Sequence, residues 1–510
     1  MTEALGSRYE TANASATLTG LVLAGLANNP GRVAIRCEGA DLTARQVLED
    51  VHRTARALLE TGLGRGDGVT VLAGNRPETV VVRLAANLIG CRIAMLYADR
   101  PVADQLATAL DARTTAFVFD PQRFGPAAAR IAAGMPEALL LALGPTGLGE
   151  DLLRLAAPHS PRPVAPRFRP EDVMAIRFTG GSTGRPKGIQ RYFARPTRPP
   201  LEDAGTFLLC TALCHGGGTT ADLALAAGGT VVLQEGFDAA AVLAAVERDR
   251  VTRVYLPPHL LHQVLDHPDL DRTDTGSLRR VSYTGCLPSP ERLAEATRRL
   301  GPVLHQTYSL TEAGPVTRLH PQEHLDPRLL TTAGRPFPDS GVRILDDRGR
   351  DLGPGRTGEI WVRTPTMMSG YWRNPELTAQ VLHDGWLRTG DLGRLDAAGY
   401  LIVEGRRGAM AIVNARNVFP RDVEGPLLTH PAVREAVMFS TVDRDRQESV
   451  HAAVTTVPGV AVTAEQLRRW VRELNGPHSE PRSVLLLPRI PITEAGKPDL
   501  AALRTLTSTR

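Results

Sequence analysis

A chain of 510 residues is too long for one ordinary core, and at one domain per 100–200 residues it predicts about three or four structural units. With 42% apolar and 22% charged residues the composition is globular, and a formal charge of +4, spread through both halves without a basic run, gives no reason to expect nucleic acid. No apolar stretch reaches the roughly 18 residues of a membrane span, and Met1 to Glu10 carry no charged-then-apolar leader, so neither a membrane partner nor any location but the cytoplasm is expected.

In chain order, apolar runs such as Val69 to Leu72 and Ile93 to Leu96 alternate with helical stretches such as Thr43 to Leu59 and Glu78 to Leu88. That spacing predicts parallel sheets covered by helices. Residues 157–171 hold five prolines and read as a linker. It leads into the apolar run Val173 to Ile176 and then Phe178-Thr179-Gly180-Gly181-Ser182-Thr183-Gly184-Arg185-Pro186-Lys187-Gly188. Arg191 to Pro200, rich in arginine and proline, predicts an exposed excursion.

The alternation resumes at Phe207 to Leu213, Thr230 to Leu233, Arg253 to Leu256, Val281 to Thr284 and Val303 to Gln306, a second doubly wound unit. From Gly341 to Arg363 short alternating strands and tight turns predict a small antiparallel barrel or sheet, and the residues after Gly405 predict a small α+β lid. The expected fold is therefore α/β: an N-terminal domain, 1–404, of two doubly wound sheets plus a small β-barrel or sheet, and a mobile α+β C-terminal domain, 405–510. The five cysteines, Cys37, Cys91, Cys210, Cys214 and Cys286, form no C-x-x-C pair and are odd in number, which argues against zinc and against a disulfide framework. Cys210 and Cys214 alternate with apolar residues and read as small buried hydrophobes.

The glycine stretch has the chemistry of an anion cradle, because glycines allow close backbone approach and let amide donors point inward. It is not the G-x-x-x-x-G-K-[ST] loop, since Gly188 follows the lysine. A surface turn rich in glycine and serine is the bland alternative. Lysine usage bears on that choice: of 59 Lys and Arg residues only Lys187 and Lys497 are lysine, leaving 57 arginines. A compact ammonium on a flexible stem differs most from a planar guanidinium where one phosphoryl or carboxyl oxygen has to be reached.

Further stretches follow in order: Gln306-Thr307-Tyr308-Ser309-Leu310-Thr311-Glu312, Gly358-Glu359-Ile360, Gly370-Tyr371-Trp372-Arg373-Asn374-Pro375, Asp384-Gly385-Trp386-Leu387-Arg388-Thr389-Gly390-Asp391, Gly405-Arg406 and Gly496-Lys497. Together with the glycine stretch they resemble the adenylate-forming superfamily of acyl- and aryl-CoA synthetases, carrier-protein adenylation domains and luciferases, over nearly the whole chain. The resemblance implies an AMP-forming ligase in which ATP and an acid give an acyl adenylate and pyrophosphate, and a nucleophile then displaces AMP.

By that likeness Thr179, Ser182, Thr183 and Lys187 hold the β- and γ-phosphates, Tyr308 lies against the adenine, and Gly285 and Cys286 pass along its edge. Asp391 accepts hydrogen bonds from the ribose hydroxyls, and Arg406 touches the ribose or phosphate. Lys497, Glu312 and Thr311 are the implied catalytic residues, with Glu312 binding Mg²⁺ and Lys497 bridging the carboxylate and the α-phosphate. Taken alone, Tyr308 reads as a core tyrosine and Asp391 as a turn cap.

His215, before three glycines, stands where the family has a histidine or aromatic beside the acyl pocket, and a satisfied core histidine is the alternative reading. Ser309, in place of the usual glycine, reshapes the floor of that pocket. The Phe-Asp pair with which amino-acid-activating relatives fix an ammonium group is missing, which disfavours an ordinary amino acid.

Two departures concern the second half-reaction. Gly408-Ala409 replaces the polar hinge residue, and Asn414-Ala415 replaces the glycine pair that lines the pantetheine tunnel of thioester-forming relatives. The leading expectation is a ligase that adenylates an aryl or medium acyl acid and passes it to CoA or a carrier protein. The alternative keeps the adenylation and changes the acceptor, by amide formation or nitrite-dependent diazotisation of an aromatic amine. A nucleotide-binding module with decayed catalysis is opposed by both lysines, Glu312 and Asp391.

Overall fold

The computed structural model describes residues 17–98, 100–179, 187–193, 204–285, 289–407, 411–413, 416–442, 448–493 and 497–508, with the backbone alone at 179, 412–413, 416–417 and 508. The chain falls into two compact units, the first comprising residues 1–256, 263–282 and 365–380, the second 257–262, 283–364 and 381–510.

In the first unit the strands are Val33–Cys37 (β1), Ala40–Thr43 (β2), Gly68–Leu72 (β3), Arg92–Met95 (β4), Ala116–Phe119 (β5), Leu139–Ala142 (β6), Glu150–Asp151 (β7), Val173–Thr179 (β8), Lys187–Tyr192 (β9), Thr206–Leu209 (β10), Thr230–Leu233 (β11), Arg253–Tyr255 (β12) and Arg280–Tyr283 (β13). One sheet runs β7-β6-β5-β3-β4-β8-β9, parallel except for the β8–β9 hairpin. The other runs β13-β12-β10-β11-β1-β2, with only β2 antiparallel. The predicted pair of doubly wound sheets is what the chain forms. Strands buried on both faces carry the runs that announced them: every residue of Gly-Val-Thr-Val-Leu in β3 and Ala-Phe-Val-Phe in β5 is buried.

Helices cover the sheets. Ala44–Glu60 starts where the Thr43 hydroxyl accepts the Gln46 amide and the Gln46 side chain returns the bond. Its Val47, Val51 and Leu58 enter one core with Val22 and Leu26 of helix Leu18–Asn28, Leu84 and Leu88 of helix Pro77–Leu88, and Leu225 of helix Gly218–Ala226. That core fixes the carboxyl end of β4 and the start of helix Gly218–Ala226, both of which bear on the site.

The second unit contains the antiparallel strands Leu304–Leu310 (β14), Gly314–Leu319 (β15) and Arg335–Pro336 (β16). It also contains the predicted small antiparallel sheet, from Gly341–Leu345 (β17), Gly358–Arg363 (β18), Leu382–His383 (β19), Trp386–Leu395 (β20) and Leu401–Arg406 (β21). Towards the C-terminus Ala411–Val413 (β22) pairs with Arg416–Val418 (β23), and Val433–Val442 (β24), Glu448–Thr456 (β25) and Ser483–Leu486 (β26) form a three-stranded sheet. Helices Pro420–Leu428 and Ala464–Asn475 cover it through a core of Val423, Leu427, Met438, Val450 and Val471.

Three local expectations need correcting. Arg191 and Tyr192 belong to β9, and the Arg191 guanidinium donates to the Thr366 carbonyl; the remainder of the predicted excursion, 194–200, lies outside the described residues. Asp391 caps neither helix nor turn but sits within β20. Cys210 is buried as expected, whereas Cys214 is only half-buried and faces a cavity.

Candidate active site

In the second unit Gln306 to Glu312 form β14 and the turn into β15. The pleat brings Tyr308 towards β20, where its hydroxyl donates to Asp391 Oδ2 at 2.6 Å. From β21, Arg406 Nε donates to Asp391 Oδ1 at 2.7 Å. One carboxylate thus holds an aromatic ring and a guanidinium, using one lone pair on each oxygen and keeping the others for further donors. Burial, with the Asp391 charge second, pushes the Tyr308 phenol well above its ordinary range. Burial acts to lower Arg406, but Asp391, helped by Glu312, outweighs it and leaves the guanidinium above its ordinary value.

The supporting residues join the sequence motifs. Buried Glu359 of Gly358-Glu359-Ile360 accepts Arg388 Nε at 3.0 Å on both oxygens, and Arg407 stands 3.5 Å away. The Thr389 hydroxyl takes the Asp391 amide at 2.9 Å and donates to the Ile360 carbonyl at 2.7 Å. Gly405 has no room for a side chain, since a Cβ there would lie 2.7 Å from Pro420 Cδ. Ser309 shares a 3.3 Å hydroxyl contact with Thr284, which precedes Gly285 at φ +105°. Thr311 is exposed and Glu312 half-buried in the turn between β14 and β15. Lys497 is exposed on a turn closed by the Thr493 amide donating to its carbonyl at 2.8 Å.

In the first unit β8 and β9 place Thr179 opposite Lys187 at the loop end of the hairpin. This is the carboxyl end of a strand beside parallel β4, where α/β sheets bind ligands. The Lys187 ammonium lies 5.6 Å from the Tyr371 ring centroid. The Gly370-Tyr371-Trp372 segment is laid along β9 by Trp372 N–H on the Gly188 carbonyl at 2.6 Å and Gln190 N–H on the Gly370 carbonyl at 3.2 Å. A Cβ on Gly188 would meet Ile176 Cγ2 at 2.8 Å and Trp372 Cβ at 3.1 Å, so this approach requires glycine. His215 stacks on Tyr97 with ring centroids 4.6 Å apart and planes at 17°. Both line a cavity of about 60 Å³ with Arg83, Arg177, Thr219 and Asp222.

The structure therefore gathers Tyr308, Asp391 and Arg406 around one carboxylate in the second unit, with Ser309, Gly285, Thr311, Glu312 and Lys497 elsewhere in that unit. It puts Thr179, Lys187 and His215 in the first. Ser182, Thr183, Cys286 and the side chain of Thr179 lie outside the described residues, as do Gly408-Ala409 and Asn414-Ala415. Sequence reasoning passed over Arg177, Tyr97 and Thr219. Only Arg177 carried a signal, a lone charge within the otherwise apolar strand Val-Met-Ala-Ile-Arg-Phe-Thr.

Two doubly wound sheets, a lysine-tipped glycine hairpin and an aspartate bound to a tyrosine and an arginine define an adenylate-forming, AMP-forming ligase. The chain belongs to the AMP-binding enzyme family, whose model matches residues 24–372; the AMP-binding enzyme C-terminal domain matches residues 422–497. It is 33% identical to the medium/long-chain-fatty-acid–CoA ligase FadD8 of Mycobacterium tuberculosis, over 91% of this chain and 85% of that protein. It is 32% identical to the indoleacetate–CoA ligase of Aromatoleum aromaticum, over 92% of this chain and 94% of that protein. Among solved structures it resembles the amide bond synthetase McbA from Marinactinospora thermotolerans, at 39% identity and a TM-score of 0.87, covering 96% of this chain and 99% of that one. No helix among the described residues is long and apolar enough to cross a membrane.

Proposed function

We propose that the protein activates an aryl or medium-length acyl carboxylic acid with ATP in the cytoplasm and passes the acyl group to an amine, with CoA or a carrier thiol as the competing acceptor. The observation that carries the first step is the Asp391 carboxylate, oriented by Tyr308 and Arg406 with lone pairs left for two ribose hydroxyls. Gly285 and Cys286 then border the adenine beside Tyr308, and His215 and Ser309 border the acid. In this reading residues 1–404 bind ATP and acid, and residues 405–510 form a lid that delivers Lys497.

An oxygen of the acid attacks the α-phosphorus, the bond to the β-phosphate oxygen breaks, and pyrophosphate leaves. Thr179, Ser182, Thr183 and Lys187 hold the departing phosphates, while Lys497 offsets the charge that builds between carboxylate and α-phosphate. Glu312 and Thr311 suit a hard cation. Mg²⁺ would be held by the Glu312 carboxylate and phosphate oxygens, the hard donors such a cation takes. The ion supplies charge neutralisation at the triphosphate. In the second step the amine nitrogen attacks the acyl carbon, the acyl–oxygen bond to AMP breaks, and the amine gives up a proton.

Two observations favour the amine. In the sequence Asn414-Ala415 stands in place of the glycine pair that, by the family resemblance, lines the pantetheine tunnel of thioester-forming relatives, and the similarity to an amide bond synthetase extends over 96% of the chain. The test is pyrophosphate and AMP release across aryl, fatty and short acids, each with no acceptor, with CoA, and with a primary amine. Pyrophosphate from the acid alone and amide formed on adding amine are expected. Acceleration of AMP release by CoA with no amide formed would move the acceptor to a thiol, and no pyrophosphate from any acid would end the adenylation reading.

A further inference from the structure

The cavity beside the glycine hairpin carries more positive than negative charge. Arg83 is spoken for: its Nη2 lies 2.7 Å from Asp222 Oδ2, with both side chains largely buried. Arg177, on β8 two residues before Thr179, faces the same cavity, and its guanidinium donates to the Thr219 hydroxyl. Among the described residues no carboxylate stands within ion-pair reach of Arg177. Two guanidinium groups and one carboxylate leave one positive charge in a partly enclosed cavity, a costly arrangement without a counter-charge. Burial first, and then the nearby Arg83 charge, push Arg177 below its ordinary value, which is the electrostatic sign of that deficit.

Size and shape narrow what completes it. A buried water needs roughly 10–15 Å³ by the same measure, so about 60 Å³ admits a group of a few heavy atoms. Arg177 offers a planar fork and Thr219 a hydroxyl whose proton remains to be donated, a pairing matched to a carboxylate. A phosphate dianion would overcompensate the single charge. The other walls include the Tyr97–His215 stack, the apolar Ile93 and Met95, and the polar Asn87 and Thr19, with Tyr97 fixed to β8 by its hydroxyl on the Phe178 carbonyl. At about 3.3 Å per strand residue, Arg177 is set back roughly 7 Å along β8 from Thr179, where the glycine loop begins.

We infer that this cavity is the subsite for a second, distal carboxylate of the substrate, so that the acid activated is a dicarboxylic acid whose far end pairs with Arg177 and Thr219. The inference rests on the adenylation reading above and names the substrate class of that site. An acid spanning the roughly 7 Å backbone step along β8 from Thr179 to Arg177 has its carboxylates separated by about four methylenes or one benzene ring.

The experiment compares ATP-dependent pyrophosphate release from the full chain with adipate, adipic acid monoamide and hexanoate, and with terephthalate, its monoamide and benzoate. In the wild type at least one diacid should exceed its monoamide by tenfold or more in kcat/KM, mostly through KM. In Arg177→Met the ratio should fall towards one, and Arg177→Lys should recover part of it. Should Arg177→Met fail to fold, the wild-type ratio decides, together with thermal unfolding without ATP, in which adipate or terephthalate raises Tm and the monoamide does not.

Pyrophosphate from monoamides and diacids alike overturns this inference alone. No pyrophosphate from any acid, with diacid-specific protection intact, overturns the adenylation reading and leaves the subsite standing. Acetate protecting as well as adipate, without diacid preference in turnover, makes the cavity a free-anion site and overturns the substrate assignment.

Discussion

Arg406 in the second unit and Arg177 in the first are the same side chain in opposite electrical settings. Arg406 is exposed, yet Asp391 at 2.7 Å holds it above its ordinary pKa; Arg177 is half-buried in a cavity it shares with another guanidinium, has a neutral hydroxyl for a partner, and is held below. Where the protein supplies the counter-charge, the pair orients a carboxylate whose remaining lone pairs are open to a neutral sugar in the function proposed. Where it withholds the counter-charge, a ligand has to bring one. A satisfied charge therefore marks a positioning device, and an unsatisfied one marks the place of a charged substrate group.

That contrast is broken first at Lys497, an exposed cation on a turn with no place in either arrangement. Lys497→Ala should lower adenylate formation by about 10²-fold or more, as one preorganised charge in a transition state is worth about 3 kcal/mol. ATP binding should persist, and pyrophosphate release set beside ATP affinity from calorimetry checks the split. Unchanged release would mean that the ground-state charges suffice. Asp391→Asn, the next largest, keeps the shape and removes the charge that Arg406 pairs with and that the proposed function assigns to the ribose. A charge-assisted hydrogen bond carries about 1.5–3 kcal/mol, so the KM for ATP should rise roughly 10- to 100-fold with a smaller change in the KM for the acid.

The two arginines also show what the sequence made legible. Arg406 was found through Gly405-Arg406, because a glycine forced by a Cβ clash with Pro420 leaves a fixed trace at a fixed position. The parallel strands were equally plain, since strands buried on both faces must be continuously apolar, as in β3 and β5. The Asp391–Tyr308 bond was not legible: its partners are 83 residues apart, and the pairing depends on strand register. Thr-Gly-Asp instead gave a turn signal that the β20–β21 pairing overrode. Arg177 was hidden by its own strand, where one charge among apolar residues reads as an edge. Only the surrounding elements reveal that it lines a cavity.

Glu424 extends the contrast to a carboxylate. It accepts the Met438 amide at 2.8 Å, and burial pushes its pKa up to about 7 from an ordinary 4.5. Because the folded value lies above the unfolded one, the folded state holds a proton that the unfolded state has lost between these limits. Stability is then greatest below about pH 4.5 with respect to this group and falls as pH rises through about 7. Glu424→Gln should be more stable than the wild type at pH 8 by about 3 kcal/mol and close to it near pH 4.5. Urea unfolding at the two pH values reads the difference. An equal change at both would place the effect in packing rather than in charge.

The smallest effect tests whether Asp391 needs both of its partners. Tyr308→Phe keeps the ring that would lie against adenine and removes only the hydroxyl that donates to Asp391 Oδ2 at 2.6 Å. Arg406 still compensates the charge on the other oxygen, so the cost is one hydrogen bond, about 0.5–1.5 kcal/mol, and the KM for ATP should rise about 3- to 10-fold with kcat nearly kept. The freed lone pair can be taken by water, which bounds the loss from above. A loss as large as that of Asp391→Asn would show that the tyrosine, not the arginine, holds the carboxylate in place. Arg406 would then serve the phosphate, and the contrast with Arg177 would lose its first member.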